Sequence, residues 1–150
     1  MNINVRQAAL ADLDAVVPLF DGYRQFYGKS SDHAAARSFL LERFNHGESV
    51  VFIAECAETP VGFTQLYPSF SSASLARVFI LNDLFVQEEA RRSGAASALL
   101  KAAASYARTM GAVRLSLNTE ISNEAAQRLY EARGWKRDHQ FHTYHQALTG

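Results

Sequence analysis

A single cysteine, Cys56, stands in a chain of 150 residues, so no internal disulfide can form. An excess of either charge is missing too: 15 Lys and Arg balance 15 Asp and Glu, for a formal net charge of zero. That balance leaves no overall electrostatic footprint for nucleic acid or an anionic membrane, and any basic site must be local. No apolar run approaches the roughly 20 residues that span a bilayer, and the first residues lack the basic-then-apolar layout of a secretory signal. The expectation is a cytoplasmic protein with neither membrane nor nucleic acid among its partners. Internal repeats, linkers and low-complexity segments are not found. Nor are the two common nucleotide motifs, Gly-x-x-x-x-Gly-Lys-Ser/Thr and Gly-x-Gly-x-x-Gly.

What is present is apolar material, 48% of the residues, enough for one compact domain over residues 1–150 with a sizeable core. Residues 2–8 alternate as a short half-buried strand, with Ile3 and Val5 on one side. Asp12 or Asp14 can cap a helix carrying Val16, Val17, Leu19, Phe20 and Tyr23, despite Pro18 near its start. Gly28 and its polar neighbours break that helix, and a second is expected from about Asp32 until Asn45-His46-Gly47. Residues 50–54 and 61–67 then read as a hairpin turning at 57–60. Residues 68–74 read as a small-residue loop, and 75–86 as a long apolar strand. A helix follows from Ser93, then a strand at 112–118, a helix at 122–133 and one or two closing strands from Trp135. The class is mixed α/β.

The stretch around Ser93 organises the chain. An apolar strand runs through Leu84, Phe85 and Val86 into a short charged link, and small residues then open a long amphipathic helix. A helix N-terminus leaves backbone N–H groups unpaired and carries partial positive charge, so Gly94, Ala95 and Ala96 let a phosphate approach the backbone closely. Arg91 and Arg92 add charge. The run Arg91-Arg92-Ser93-Gly94-Ala95-Ala96 resembles the Gln/Arg-x-x-Gly-x-Gly/Ala signature of the GNAT family of N-acetyltransferases. A second match is Asn123-Glu124-Ala125-Ala126-Gln127-Arg128-Leu129-Tyr130 through Gly134-Trp135, which is similar to that family's Asn-x-x-Ala-x-x-x-Tyr-x-x-x-Gly-Phe/Trp motif. The order of elements along the whole chain resembles the family's as well.

The resemblance implies a GNAT fold, a mixed, mostly antiparallel twisted sheet flanked by helices, with acetyl-coenzyme A as cosubstrate. It implies that the loop from Arg91 to Ser97 holds the pyrophosphate. Backbone groups of Leu84, Phe85 and Val86 would bind the pantetheine arm, and a strand N–H near Leu84 would polarise the thioester carbonyl. Asn123 and Tyr130, about two turns apart, would look into the same groove, with Tyr130 as general acid: a phenol of pKa about 10 is protonated at neutral pH. Asn123 or Ser122 can equally cap the helix, and Tyr130 taken by position alone is a core aromatic.

Direct transfer needs an uncharged amine, stabilisation of the oxyanion and a proton for the departing thiolate, and no protein nucleophile. Asp83 is the candidate base, acting directly or through a water, and alternation lets only one of Asn82 and Asp83 face the substrate groove. The run Asn82-Asp83-Leu84-Phe85-Val86 is similar to Glu-Asp-Phe-Phe-Val of diamine acetyltransferases, with an asparagine where they carry the first carboxylate. Tyr23 and Tyr27 offer rings for an amine-bearing acceptor, or helix-end packing. The resulting expectation is acetyl transfer to a primary amine, on a small molecule, with a homodimer as a possible assembly. A protein or peptide acceptor and a non-catalytic acyl-coenzyme A module are the alternatives. His139, His142 and His145 alternate faces in a closing strand and do not converge on a metal. Cys56 reads as a buried structural thiol, Glu88 and Glu89 as solvated loop charges, and Phe70 as part of a hairpin connection or a substrate loop.

Overall fold

The computed structural model describes residues 2–149. Nine principal elements follow one another: β1 Ile3–Gln7, α1 Leu13–Phe26, α2 His33–Asn45, β2 Val50–Cys56, β3 Thr59–Ser71, β4 Ala76–Val86, α3 Ala95–Thr109, β5 Arg114–Ser116 and α4 Glu124–Ala132. Short 3-10 turns at Leu10–Asp12 and Glu88–Ala90 lead into α1 and towards α3. The five strands form one sheet in the order β1-β2-β3-β4-β5. All neighbours are antiparallel except β4 and β5, which are parallel. This is the mixed, mostly antiparallel sheet flanked by helices that the sequence implied. The chain divides into two compact units, one reaching Asn118 and the other beginning at Thr119.

In the first unit both faces of the sheet are covered. Phe63 of β3 meets Phe20 and Tyr23 of α1 edge-on, at centroid separations of 6.2 and 6.1 Å. Val16, Val17 and Leu40 complete a dry cluster with it. On the opposite face Tyr106 of α3 packs against Phe52 of β2 and Phe79 of β4. Leu99 and Ala103 are buried on that helix at the one-turn spacing an amphipathic stripe requires.

Local signals place the helix starts. Asp32 caps α2 by accepting from the Ala35 N–H at 3.0 Å, and Gly47, at φ +62, follows its end. Asp12 occupies the cap position of α1 without capping it. Its carboxylate accepts instead from the Ala9 N–H and from Arg6, at 2.8 and 2.9 Å through one oxygen. Those bonds, the Arg6 one foremost, hold its pKa down to about 2. The ionised carboxylate therefore contributes stability above about pH 4 that is lost as the pH falls through about 2. Asp12→Asn is expected to lower the urea midpoint at pH 7 and to bring it level with wild type near pH 2. A midpoint difference that stayed constant with pH would remove this cluster from the acid response.

The strands depart from expectation where pairing decides. The first hairpin turns on Ala57 and Glu58 alone, both at positive φ, so Thr59 and Pro60 belong to β3. Residues 68–71 are strand rather than loop. Pro68 sits opposite Phe79 in the continuing register, and Arg77 lies over the Phe70 ring at 5.4 Å, so cross-strand contacts prolong the ladder to the turn at 72–75. Leu75 lies in that turn at φ +50, and β4 begins after it. The strand expected over 112–118 contracts to Arg114–Ser116. Cys56 closes β2 half-buried rather than buried. Residues 135–149 form no strand, because alternation supplies a face but a strand needs a partner for its backbone groups. The alternation expected for His139, His142 and His145 falls with it. Among the described residues no group of three or more His, Cys, Asp or Glu side chains is placed to hold a metal.

Candidate active site

The site is built on the C-terminal half of β4. Gln65 pairs with Asp83 and Leu66 with Leu81, so Asn82 is an extra residue with no opposite number on β3. In a regular strand Leu81 and Asp83, two apart, would share a face. The bulge reverses that relation: Leu81 stands opposite Leu66, while Asp83 turns to the face of Gln65, the face on which Phe63 meets α1. Asp83 is 1% exposed. Its Oδ1 accepts from Asn82 Nδ2 at 2.7 Å and its Oδ2 from Gln65 Nε2 at 2.6 Å. Burial pushes the carboxyl up to about 6, against the opposing pull of those two hydrogen bonds. The neighbouring Tyr67 phenol is held above its ordinary range by burial and then by the Asp83 carboxylate, with Arg43 of α2 opposing.

Side chains clasp the backbone of the bulge. Tyr23 of α1 donates its hydroxyl to the Asn82 carbonyl at 3.1 Å, and Thr64 donates to the Asp83 carbonyl at 2.7 Å. Phe85 lies on the same side. A Cβ on Gly22 of α1 would come within 3.0 Å of its ring, and one on Gly62 within 2.8 Å of its carbonyl oxygen, so both glycines are required by close approach. The Tyr27 ring packs tilted beside Tyr23 at 5.0 Å and is 44% exposed.

Beyond residue 80, β4 has among the described residues a strand partner on one edge only, since β5 pairs with residues 78–80 and no further. The edge at Leu84 and Phe85 has no second strand neighbour, as an extended ligand with amide groups requires, while the Val86 carbonyl is taken by Arg91. The chain then passes through Arg92 at φ +63 and Gly94 at φ +88 into α3. Gly94 at the cap position of α3 offers no side chain, and the Ala95 N–H donates to Ser93 Oγ at 3.4 Å, whereas α2 and α4 are capped by Asp32 and Asn123. The first N–H groups of α3, on Ala95, Ala96 and Ser97, form the positive end of a fifteen-residue helix. Successive N–H groups in alternating right- and left-handed backbone make an anion-binding concavity. Arg91 braces this loop: its Nε donates to the Val86 carbonyl at 3.0 Å and its guanidinium lies over Phe26. Ser93 donates its hydroxyl to the Ala90 carbonyl. Arg92 is exposed. A helix start with a glycine at its cap position, following a strand edge that has no second strand neighbour, fits a ligand with a pyrophosphate at one end and amides along its length.

In the second unit Asn123 caps α4, its Oδ1 accepting from the Ala126 N–H at 3.2 Å. Tyr130 packs on Trp135 at 6.1 Å, and the Trp135 N–H donates to the Tyr130 carbonyl. Asn82, Asp83 and residues 84–97, the stretch singled out from the sequence, form the end of β4, the connecting loop and the first turn of α3. Sequence reasoning missed Gln65 and Tyr67, which only the register of β3 sets beside Asp83. The available signal was the polar pair Thr64-Gln65 inside an otherwise apolar strand. It also missed Asp21, buried in α1. There burial, which raises a carboxyl, is outweighed by the Asp32 N–H at 2.8 Å and the Ser31 hydroxyl at 2.7 Å, so its pKa is lowered. Those bonds fasten the α1–α2 connection.

The family model described as the acetyltransferase (GNAT) family matches residues 16–135. The chain belongs to that family and is an acetyl-coenzyme A-dependent N-acetyltransferase. It is 49% identical over 142 residues to the uncharacterized N-acetyltransferase YhfO of Bacillus subtilis (strain 168), covering 95% of each protein. A crystal structure of a probable acetyltransferase is 44% identical, with a TM-score of 0.93 and 98% and 99% of the two chains covered. The fold is shared with an aminoglycoside N-acetyltransferase solved in complex with CoA, at 19% identity and a TM-score of 0.80 over 97% of this chain and 95% of that one. Among the described residues no helix is long and apolar enough to cross a membrane.

Proposed function

We propose that this enzyme, as one domain over the whole chain, transfers acetyl from acetyl-coenzyme A directly to a primary amine on a small molecule. The observation that carries the reading is the β4 edge without a second strand neighbour running on to the start of α3, with Asp83 held at the bulge that precedes them. Bound there, the cosubstrate supplies an activated acetyl group. Residues 91–97 hold its pyrophosphate, and Leu84, Phe85 and Val86 hold its amides and polarise the carbonyl. For Asn123 and Tyr130 the family motif implies cofactor-binding roles. Asp83 takes the proton of the incoming amine. At 1% exposure it does so through an intervening water rather than by contact. With a pKa of about 6 it is ionised at neutral pH and basic enough to help. Asn82, Tyr23 and Tyr27 border the acceptor, the aromatic rings favouring a cationic amine. A cytoplasmic location agrees with the single cysteine.

The deciding experiment is mass-spectrometric detection of acetyl transfer to a pooled panel of polyamines, amino acids, aminoglycosides and short peptides, with a no-enzyme control. A small-molecule product supports the reading, and acetylation confined to the peptides replaces it with a protein-directed one. Tyr130 is the proposed general acid. Tyr130→Phe is expected to lower kcat about 10- to 100-fold while leaving the Kd for acetyl-coenzyme A within a few-fold. Unchanged turnover across pH would remove that role.

A homodimer is proposed as the working assembly, supported by Phe141, Tyr144 and Leu148, which are 77, 89 and 90% exposed near the chain end. Light scattering should give twice the chain mass at micromolar concentration, and a monomer at every concentration would rule it out.

A further inference from the structure

We propose that Gln65 is a positioning residue of the transfer reaction: its side-chain amide orients the Asp83 carboxylate and sets the pH above which that group accepts a proton. The proposal rests on the reading of Asp83 as the base. Gln65 is fully buried in the middle of β3, paired with Val51 of β2 on one side and Asp83 of β4 on the other. It is anchored in a strand that is paired on both sides. Its Nε2 donates to Asp83 Oδ2 at 2.6 Å, while its buried Oε1 has no hydrogen-bond partner among the described residues.

A buried amide with half its capacity unmet is costly, and an apolar side chain of the same size would remove that cost. Packing therefore does not account for a glutamine here, whereas the bond to Asp83 does. Asn82 supplies the other donor, from an exposed residue on the bulge, so the two carboxylate oxygens each receive one amide N–H. Only the Gln65 donor comes from a strand paired on both sides. Hydrogen bonds to the ionised form oppose the effect of burial, so losing the Gln65 donor must move the proton affinity of Asp83 upward. The other polar groups on this side are the Tyr67 phenol, Tyr23 at the Asn82 carbonyl, and Arg43 of α2. Arg43 acts on the Tyr67 phenol and is itself paired with Glu48 and Glu42.

The test is a carbon-13 NMR titration of the Asp83 carboxyl in the full chain, with and without acetyl-coenzyme A, alongside the acid limb of kcat/KM. In Gln65→Met both midpoints are expected to move up by about one pH unit, with the high-pH plateau of kcat/KM reduced only a few-fold. In the isosteric Gln65→Glu two facing carboxyls titrate as a coupled pair, and the upper midpoint should rise further. That variant retains the volume of the native side chain and carries the test if the methionine variant does not fold. Midpoints unmoved in the folded variants would overturn the proposal. Asp83→Asn separates it from the reading beneath it. If that variant keeps full activity and the wild-type pH profile, Asp83 is not the base. If it is inactive while Gln65 variants titrate normally, only the role of Gln65 fails.

Discussion

Asp83→Asn is expected to lower kcat/KM about 10²- to 10³-fold and at the same time to stabilise the folded chain above pH 6. The two effects share one cause. Asp83 is nine-tenths or more buried, and its pKa is raised from 3.8 to about 6. A carboxyl whose folded pKa lies above its unfolded one favours the fold most below the unfolded value. That contribution is lost as the pH rises through the folded value. A shift of about two units corresponds to about 3 kcal/mol. The stability gap between variant and wild type should therefore widen by up to about 3 kcal/mol between pH 4 and pH 8. The exposed Asn82 amide can rotate to present its oxygen to the new amide N–H, leaving the new carbonyl to accept from Gln65 Nε2, so the substitution does not strand a buried donor. Urea unfolding at pH 4, 6 and 8 and initial rates at pH 8 measure both effects. A variant that kept wild-type turnover and the wild-type dependence of stability on pH would take Asp83 out of the mechanism.

Phe63→Ala should cost about 3–5 kcal/mol, on the order of 10 °C in Tm. Phe63 is fully buried, meets Phe20 and Tyr23 edge-on and faces Phe85 across the β3–β4 ladder. It joins α1 to the strand that carries the bulge. Removing the ring leaves a cavity between close-packed neighbours and loosens the hold of Tyr23 on the Asn82 carbonyl, so activity should fall by more than the unfolded fraction explains. Phe39→Ala, at a 39% exposed ring stacked on Phe20, should cost far less and serves as the control. Equal costs for the two would mean that the aromatic cluster, rather than the Phe63 contact with α1, ties the helix to the sheet.

Features that depend on near neighbours in the chain could be read from sequence. The Asp32 cap, the break after α1, the glycine-containing entry to α3 and the order of elements all rest on bonds or dihedrals spanning a few residues, and each stands where local chemistry puts it. The loop at residues 91–96 and the helix start after it were legible for the same reason, since small residues and a glycine at positive φ act through the local backbone. Cross-strand register is different, because a shift of one residue turns every side chain to the other face. Whether Asn82 or Asp83 turned inward depended on a single unpaired residue in β4, and the presence of Gln65 beside Asp83 depended on how β3 lay against it. The extension of β3 through Pro68, and the lack of strand structure in residues 135–149 despite their alternation, were decided in the same way. Sequence alone determined the family and the cosubstrate. Tertiary structure decided which carboxylate is buried and what holds it, because pairing and burial are properties of what lies across the sheet and not of the segment itself.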